Sequence, residues 1–345
     1  IDIDTIYKDG IFCSGHKYSK TYRFKDVNYS IASKEEKINL FLNYSELLNS
    51  LDSSSTTKIT INNRKVNIQE FKSHILIPLK GDHLDKYRKE YNDMLLDKIS
   101  GVDSIKQEKY ITITVFKNNI DEARNFFSRT TVELSSHFSK LSSSLEELNA
   151  IDRLKILHDF YRNGMEENFQ FDFKDFMHKG HDFKDAICPY QPEFHNKYFK
   201  LGDKFGRVLY LSNYASYIKD GFVAELCSLN RNLMYSMDII TVPTDEAIKE
   251  VENRLLGIET NITNWQRRQN ANNNFSAVIP YDMENQRKEA KEFLDDLIVR
   301  DQRMMLGCMT LVHLADSKEE LDNDSELRPP RSPVSPQSGQ DFHSQ

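Results

Sequence analysis

The sequence predicts an α+β fold of two mixed α/β modules with split β-α-β character, the second carrying a long antiparallel helical hairpin, followed by a disordered proline-rich C-terminal tail. Three observations lead there. Residues 205–256 hold a β-branched and aromatic run (Arg207-Val-Leu-Tyr-Leu-Ser-Asn-Tyr214), room for two or three helical turns at 221–230, a second such run at 233–242 and a long helical pattern. Pro243 ends the second run because it has no N–H to give a ladder, and Thr244 offers an oxygen that can cap a helix. In that helix Ile248, Val251, Leu255, Ile258, Ile262 and Trp265 recur at alternating spacings of 3 and 4, a heptad seam that needs a partner. The third observation is the partner. Residues 282–300 place Met283, Ala290, Phe293, Leu294, Leu297 and Ile298 on a second apolar face, beyond a polar link at 266–274 and Pro280. The expected hairpin spans 244–300, with its polar tip pointing away from the sheet.

The other elements follow in order. Residues 21–31 alternate as a strand, and Ser33 with Glu36 forms a capping box that opens a helix from Lys34 to about Leu51. Residues 58–62 and 63–67 look like a strand broken by a turn. A helix at 82–100 carries Leu84, Tyr87, Tyr91, Leu95 and Ile99 on one face. Residues 110–116 form the clearest strand of the first half, and helices are expected at 120–141 and 145–164. Residues 166–204 form an aromatic-rich connector with Phe169, Phe171, Phe173, Phe176, Phe183, Phe194 and Phe199, expected to pack against both modules. Residues 304–314 read as a buried strand. The expected division is therefore 1–165, connector 166–204, 205–326 and a tail at 327–345, which holds four of the nine prolines and cannot build a core.

A chain of 345 residues has a length prior of about two domains and can bury a sizeable core. The 53 acidic residues outnumber the 46 basic ones, for a net charge of -7, which argues against a dedicated nucleic-acid binder. Cys13, Cys188, Cys227 and Cys308 are widely separated and form no C-x-x-C pair, so they read as reduced thiols of a cytoplasmic protein. No apolar run reaches the ~20 residues that span a bilayer, so membrane contact is expected only through partners. No signal peptide is expected, and because the chain opens on Ile1 without Met the given start reads as a fragment boundary.

Several stretches carry the residue types of a chemical site. Gly10 and Gly15 have the separation of a phosphate loop, but His16 stands where the motif needs Lys and no glycine in the chain precedes a lysine, so nucleotide binding is not expected. His178, His181 and His195, with Asp175, Asp185 and Cys188 nearby, offer metal-ligand chemistry for a metal-dependent hydrolase. Gly180 breaks the helix that would align the first two, and a solvated polar connector is the preferred reading. No serine lies in a nucleophile elbow, and the carboxylate pairs at 35–36, 146–147 and 295–296 read as exposed helix faces. Trp265, Arg267 and Arg268 at the hairpin tip are interface-type residues, although Trp265 also completes the seam.

The order of elements and several local sequences resemble the N-terminal, non-motor region of the conjugal-transfer ATPases of type IV secretion systems, in the form carried by integrative elements of Gram-positive bacteria. The resemblance rests on Asp9-Gly10, Tyr18-Ser-Lys-Thr-Tyr-Arg-Phe-Lys-Asp-Val-Asn-Tyr29, Phe171-Asp-Phe-Lys-Asp-Phe176, Lys184-Asp-Ala-Ile-Cys-Pro189, Val208-Leu-Tyr-Leu211, Asp238-Ile-Ile-Thr-Val-Pro243 and Asp301-Gln-Arg-Met-Met305. It covers about residues 4–326 and has no single diagnostic motif. It implies a docking and scaffold region that precedes an ATPase domain, located peripherally at the cytoplasmic face of the membrane. The implied partners are other secretion-channel proteins and possible copies of itself, with no direct nucleic-acid contact. ATP and magnesium would belong to the motor domain, so no cofactor and no catalytic residue are expected in this chain. The proline-rich tail stands where the family continues into that domain, which reads as a truncated or short copy; a stand-alone interaction protein that modulates conjugation is the alternative.

Overall fold

The computed structural model describes residues 1–29, 31–65, 76–100, 105–175, 180–214, 218–219, 221–274, 277–325 and 342–344. The chain is a mixed α+β protein, as expected. Its strands are β1 (Thr5–Ile6), β2 (Phe12–Ser14), β3 (Lys17–Phe24), β4 (Ser55–Lys65), β5 (Ile105–Phe116), β6 (Leu145–Glu147), β7 (Glu193–Phe194), β8 (Phe199–Leu201), β9 (Lys204–Leu211), β10 (Asn232–Thr241), β11 (Met305–Ala315) and β12 (Phe342–Ser344). Its helices are α1 (Lys34–Asn49), α2 (Asp85–Ser100), α3 (Ile120–Lys140), α4 (Ala150–Tyr161), α5 (Phe222–Cys227), α6 (Thr244–Ala271), α7 (Tyr281–Ile298) and α8 (Lys318–Ser325). Among the described residues no helix is long and apolar enough to cross a membrane.

The strands form one sheet in the order β1-β2-β3-β5-β4-β10-β11-β9-β8-β7, with β6 added to β3 and β12 to β9. Strands from the two halves of the sequence are thus neighbours, β4 lying beside β10. By contacts the chain divides into two compact units, one of residues 1–31, 57–238 and 308–345, the other of residues 32–56 and 239–307. The expected connector at 166–204 falls wholly within the first unit. Of the expected tail, residues 327–341 and 345 lie outside the described residues, and Phe342–Ser344 runs as a short strand.

In the first unit α3 lays Ala123, Phe127, Leu134 and Phe138 on the sheet, starting from Asn119, whose side chain accepts from the Glu122 N–H. Tyr22 is fully buried beneath it, its hydroxyl 2.9 Å from Thr131 Oγ1. The second core cluster joins Phe12, Ala150, Leu154, Ala186 and Ile187, and the connector's Phe169, Phe171, Phe173 and Phe183 pack against it. Phe194 is instead exposed. Asn63 corrects the expected break in β4. The Asn62-Asn63 pair reads as a turn in sequence, yet β4 runs through it, because Asn63 is buried with Nδ2 donating to the Cys227 carbonyl (2.6 Å) and Oδ1 accepting from Gln107 Nε2 (2.9 Å). The helix expected at 145–164 likewise starts late, since residues 145–147 pair with β3 and Asn149 supplies the cap.

In the second unit the capping box is formed, Ser33 Oγ accepting from Glu36 N–H and Glu36 from Ser33 N–H. Around Ala247, Val251 and Leu297 pack Val242, Ile248, Leu294 and Met304. The far end of α1 is tied down by Asn49, whose Nδ2 donates to Gln302 Oε1 (2.9 Å) and whose Oδ1 accepts from the Arg303 N–H (3.2 Å).

Candidate functional site

The helical hairpin is present. Along α6, Val251 and Ile262 are buried and Ile248, Leu255, Ile258 and Trp265 half-buried, so every position of the expected seam turns inward. From α7, Met283, Ala290, Leu294 and Leu297 answer it. Phe293 and Ile298 do not: they flank the buried stripe and are 38% and 56% exposed. The seam is reinforced at its rim by Glu259, with Lys291 at 3.7 Å and Arg287 at 4.0 Å. Replacing Ile262 with alanine is expected to cost about 2–5 kcal/mol, as for other buried aliphatic truncations, read as a lower urea midpoint with an unchanged slope.

The tip differs from the expectation in one respect. The residues at 266–271 continue α6 as helix, which ends at Asn272 and Asn273, the latter at φ +57°. Nothing in Gln266-Arg-Arg-Gln-Asn-Ala271 breaks a helix, and an asparagine tolerates the left-handed conformation that closes one. Trp265, Arg267 and Arg268 therefore sit on the last turns of a rigid helix. Trp265 lies half-buried on the seam, while both arginines are exposed.

A second surface of the same unit has no counterpart in the expected site. Helix α1 buries Leu47 and half-buries Leu40 and Leu48, while Ile38, Phe41 and Leu42 on the opposite face are 50%, 64% and 54% exposed. These three stand at i, i+3 and i+4 and form one stripe. The signal was present in the run Ile38-Asn-Leu-Phe-Leu42, where apolar residues go all the way round the helix. Such a helix is normally covered on every side.

The most concentrated buried polar group lies in the first unit. Arg64 on β4 donates through Nη1 to Asp159 Oδ2 (3.0 Å) and stands 3.7 Å from Glu166 Oε1, with 7%, 10% and 2% of the three side chains exposed. His158, fully buried, places Nδ1 3.2 Å from Asp159 Oδ1 and packs its ring on Phe169. A cleft of about 10 Å³, the size of a single water, opens beside them between Asn62, Arg64, Asp159, Asn163 and Asn232. Together these side chains form a buried ion-pair network. Nothing in the sequence announces it, since its members come from positions 64, 158, 159 and 166. Arg153 is a related case: it donates to the Gly10 and Ser19 carbonyls (both 2.7 Å) and to Ser19 Oγ (3.1 Å), and lies over the Phe12 ring at 3.9 Å. Burial pulls its pKa down to about 9.

Of the residues singled out for metal chemistry, those that are described are not grouped as a metal site. His178 lies outside the described residues. His181 sits 3.6 Å from Asp185, and His195 sits 3.5 Å from Glu193 and stacks on Tyr198. Among the described residues no three His, Cys, Asp or Glu side chains are grouped as a metal site. The glycine segment at 10–17 is a β-hairpin, β2 pairing with β3 across Gly15, and no helix follows to receive a phosphate. Cys227 is buried, and its thiol pKa is pushed up to about 11, which makes it a poor nucleophile at neutral pH.

Compared with known proteins, the chain matches no family model, and no curated protein resembles it significantly.

Proposed function

We propose that the chain is a docking and scaffold region of the conjugative-transfer ATPase kind, acting through protein–protein contacts with other secretion-channel proteins. Its place would be the inner face of the membrane, held there by those partners. The observation that carries the docking reading is the outward stripe of α1. A helix tied into its own unit through Asn49, with Leu47 buried, leaves Ile38, Phe41 and Leu42 largely exposed, and a stripe of this kind on a folded unit marks a contact surface. The exposed Arg267 and Arg268, presented on a stiff hairpin, supply a second contact of the kind used at interfaces. The assignment to conjugation rests on the sequence resemblance alone.

The test is the doubly substituted chain Phe41→Asp/Leu42→Asp. Both side chains are largely in solvent, so its folding stability is expected to stay within about 1 kcal/mol of the parent chain. Its recovery with channel proteins from cells carrying the conjugative element is expected to fall at least about tenfold, because charges replace apolar anchors. Transfer frequency falls with it. Unchanged recovery and transfer in a folded variant would remove the docking role from α1.

A further inference from the structure

The strand β9 is backed along residues 205–210 on one side and only partly covered on the other. Toward the sheet interior β11 pairs with residues 205–210 of β9. On the opposite edge β8 reaches only Lys204, Phe205 and Gly206. There the chain turns away, and Arg207 Nε donates to the Lys197 carbonyl (2.8 Å) at the step. Beyond that step lies Val208-Leu-Tyr-Leu211, with strong strand formers and none of the charges, prolines or glycines that usually blunt a sheet edge. Its backbone is rigidly held, since Leu209 and Leu311 share one core cluster and Leu211 is buried. Among the described residues one segment pairs with this edge. The terminal strand β12 runs antiparallel to it, Phe342 opposite Leu211, His343 opposite Tyr210 and Ser344 opposite Leu209.

We propose that the β9 edge at Leu209–Leu211 is a strand-addition site whose resident occupant is the chain's own terminal strand, and that it takes an extended segment from a partner when that strand leaves. The recognition is main-chain hydrogen bonding, the mode by which sheet edges capture extended peptides. Three residues make few ladder bonds, and ordering them costs backbone entropy of comparable size, so the occupant is held weakly and exchanges. What keeps it in place is its attachment to the same chain, which fixes a high local concentration. A competing segment must be extended and must lack proline at the paired positions. This site lies in the first unit and is independent of the α1 surface, so either reading can fail without the other.

The test uses the full chain with Phe342→Pro/His343→Pro. Successive N–H groups along a strand point to alternate sides, so the pair of prolines removes whichever one faces β9. Exchange of those amides among residues 209–211 that face β12 is expected to rise at least about tenfold in the variant, while amides in β3 and β5 stay protected and report an intact fold. A fluorescein-labelled peptide of residues 340–345 is expected to raise its anisotropy on the variant at concentrations where the unaltered chain, with its edge occupied, gives little signal. Unchanged exchange at 209–211, or equal peptide affinity for the two chains, overturns the proposal. So does a dimer of the unaltered chain that grows with concentration and disappears in the variant, because the terminal strand would then be exchanged between copies.

Discussion

Gly10→Ala is expected to destabilise the protein by at least about 3 kcal/mol, a large share of the roughly 5–15 kcal/mol that holds a domain folded. Gly10 has φ +81°, and an added Cβ would lie 2.0 Å from the Leu148 carbonyl oxygen, a backbone atom that cannot swing aside. The Gly10 carbonyl accepts from Arg153, and the Lys8 carbonyl accepts from the Ala150 N–H, so relieving the clash pulls the start of α4 off the sheet. Gly15 provides the control. It also has a positive φ, +57°, but nothing lies within 4 Å of its Cβ position, so Gly15→Ala carries only the left-handed backbone penalty of about 1–2 kcal/mol. Equal midpoints for the two variants in chemical denaturation would show that the Leu148 contact carries no weight.

Arg64→Ala is expected to cost about 3–5 kcal/mol, the usual result of leaving buried carboxylates without their partner. Asp159 and Glu166 are too enclosed to recover hydration when the guanidinium goes. The loss comes mostly from the stranded charges and not from the attraction itself. Arg64→Met combined with Asp159→Asn and Glu166→Gln, which keeps volume and removes all three charges, should therefore recover a large part of it. Urea denaturation of the single and triple variants decides the matter; a triple variant no better than Arg64→Ala would mean that packing around Arg64, and not charge, sets the cost.

The sequence made local elements legible wherever periodicity and caps coincide. The α6 seam, the Ser33 capping box and the strands expected at 207–214 and 233–242, found at Lys204–Leu211 and Asn232–Thr241, all stand within about three residues of where their patterns place them. It failed where a distant partner overrides a local preference. Asn63 is a turn former in isolation, but Cys227 and Gln107 satisfy its amide, and a strand survives. Residues 145–147 continue a helical pattern, yet the free margin of β3 takes them as a strand. Phe293 and Ile298 carry the same hydrophobicity as Leu294 and Leu297, and only the geometry of the opposing helix decides which pair is covered. The neighbouring of β4 and β10 has no local signature, because strand pairing is specified by faces and edges that form only on assembly. The candidate site divides in the same way. Trp265 and the two arginines were visible as residue types, whereas the uncovered stripe of α1 needed the opposite face of that helix to be shown occupied.

The neighbouring of β4 and β10 also governs when the protein can fold. The Lys65 amide donates to Asn232 Oδ1 across 167 positions of sequence. At roughly 5–20 residues per second, the ribosome takes on the order of 10–30 s to deliver the second strand after the first has appeared. Through that interval the β4 edge lacks the β10 neighbour it has in the native sheet. The nascent chain thus passes through a stage with an adhesive margin, and the rate of translation across the connector, with any chaperone that covers β4 meanwhile, sets how much of it reaches the native state.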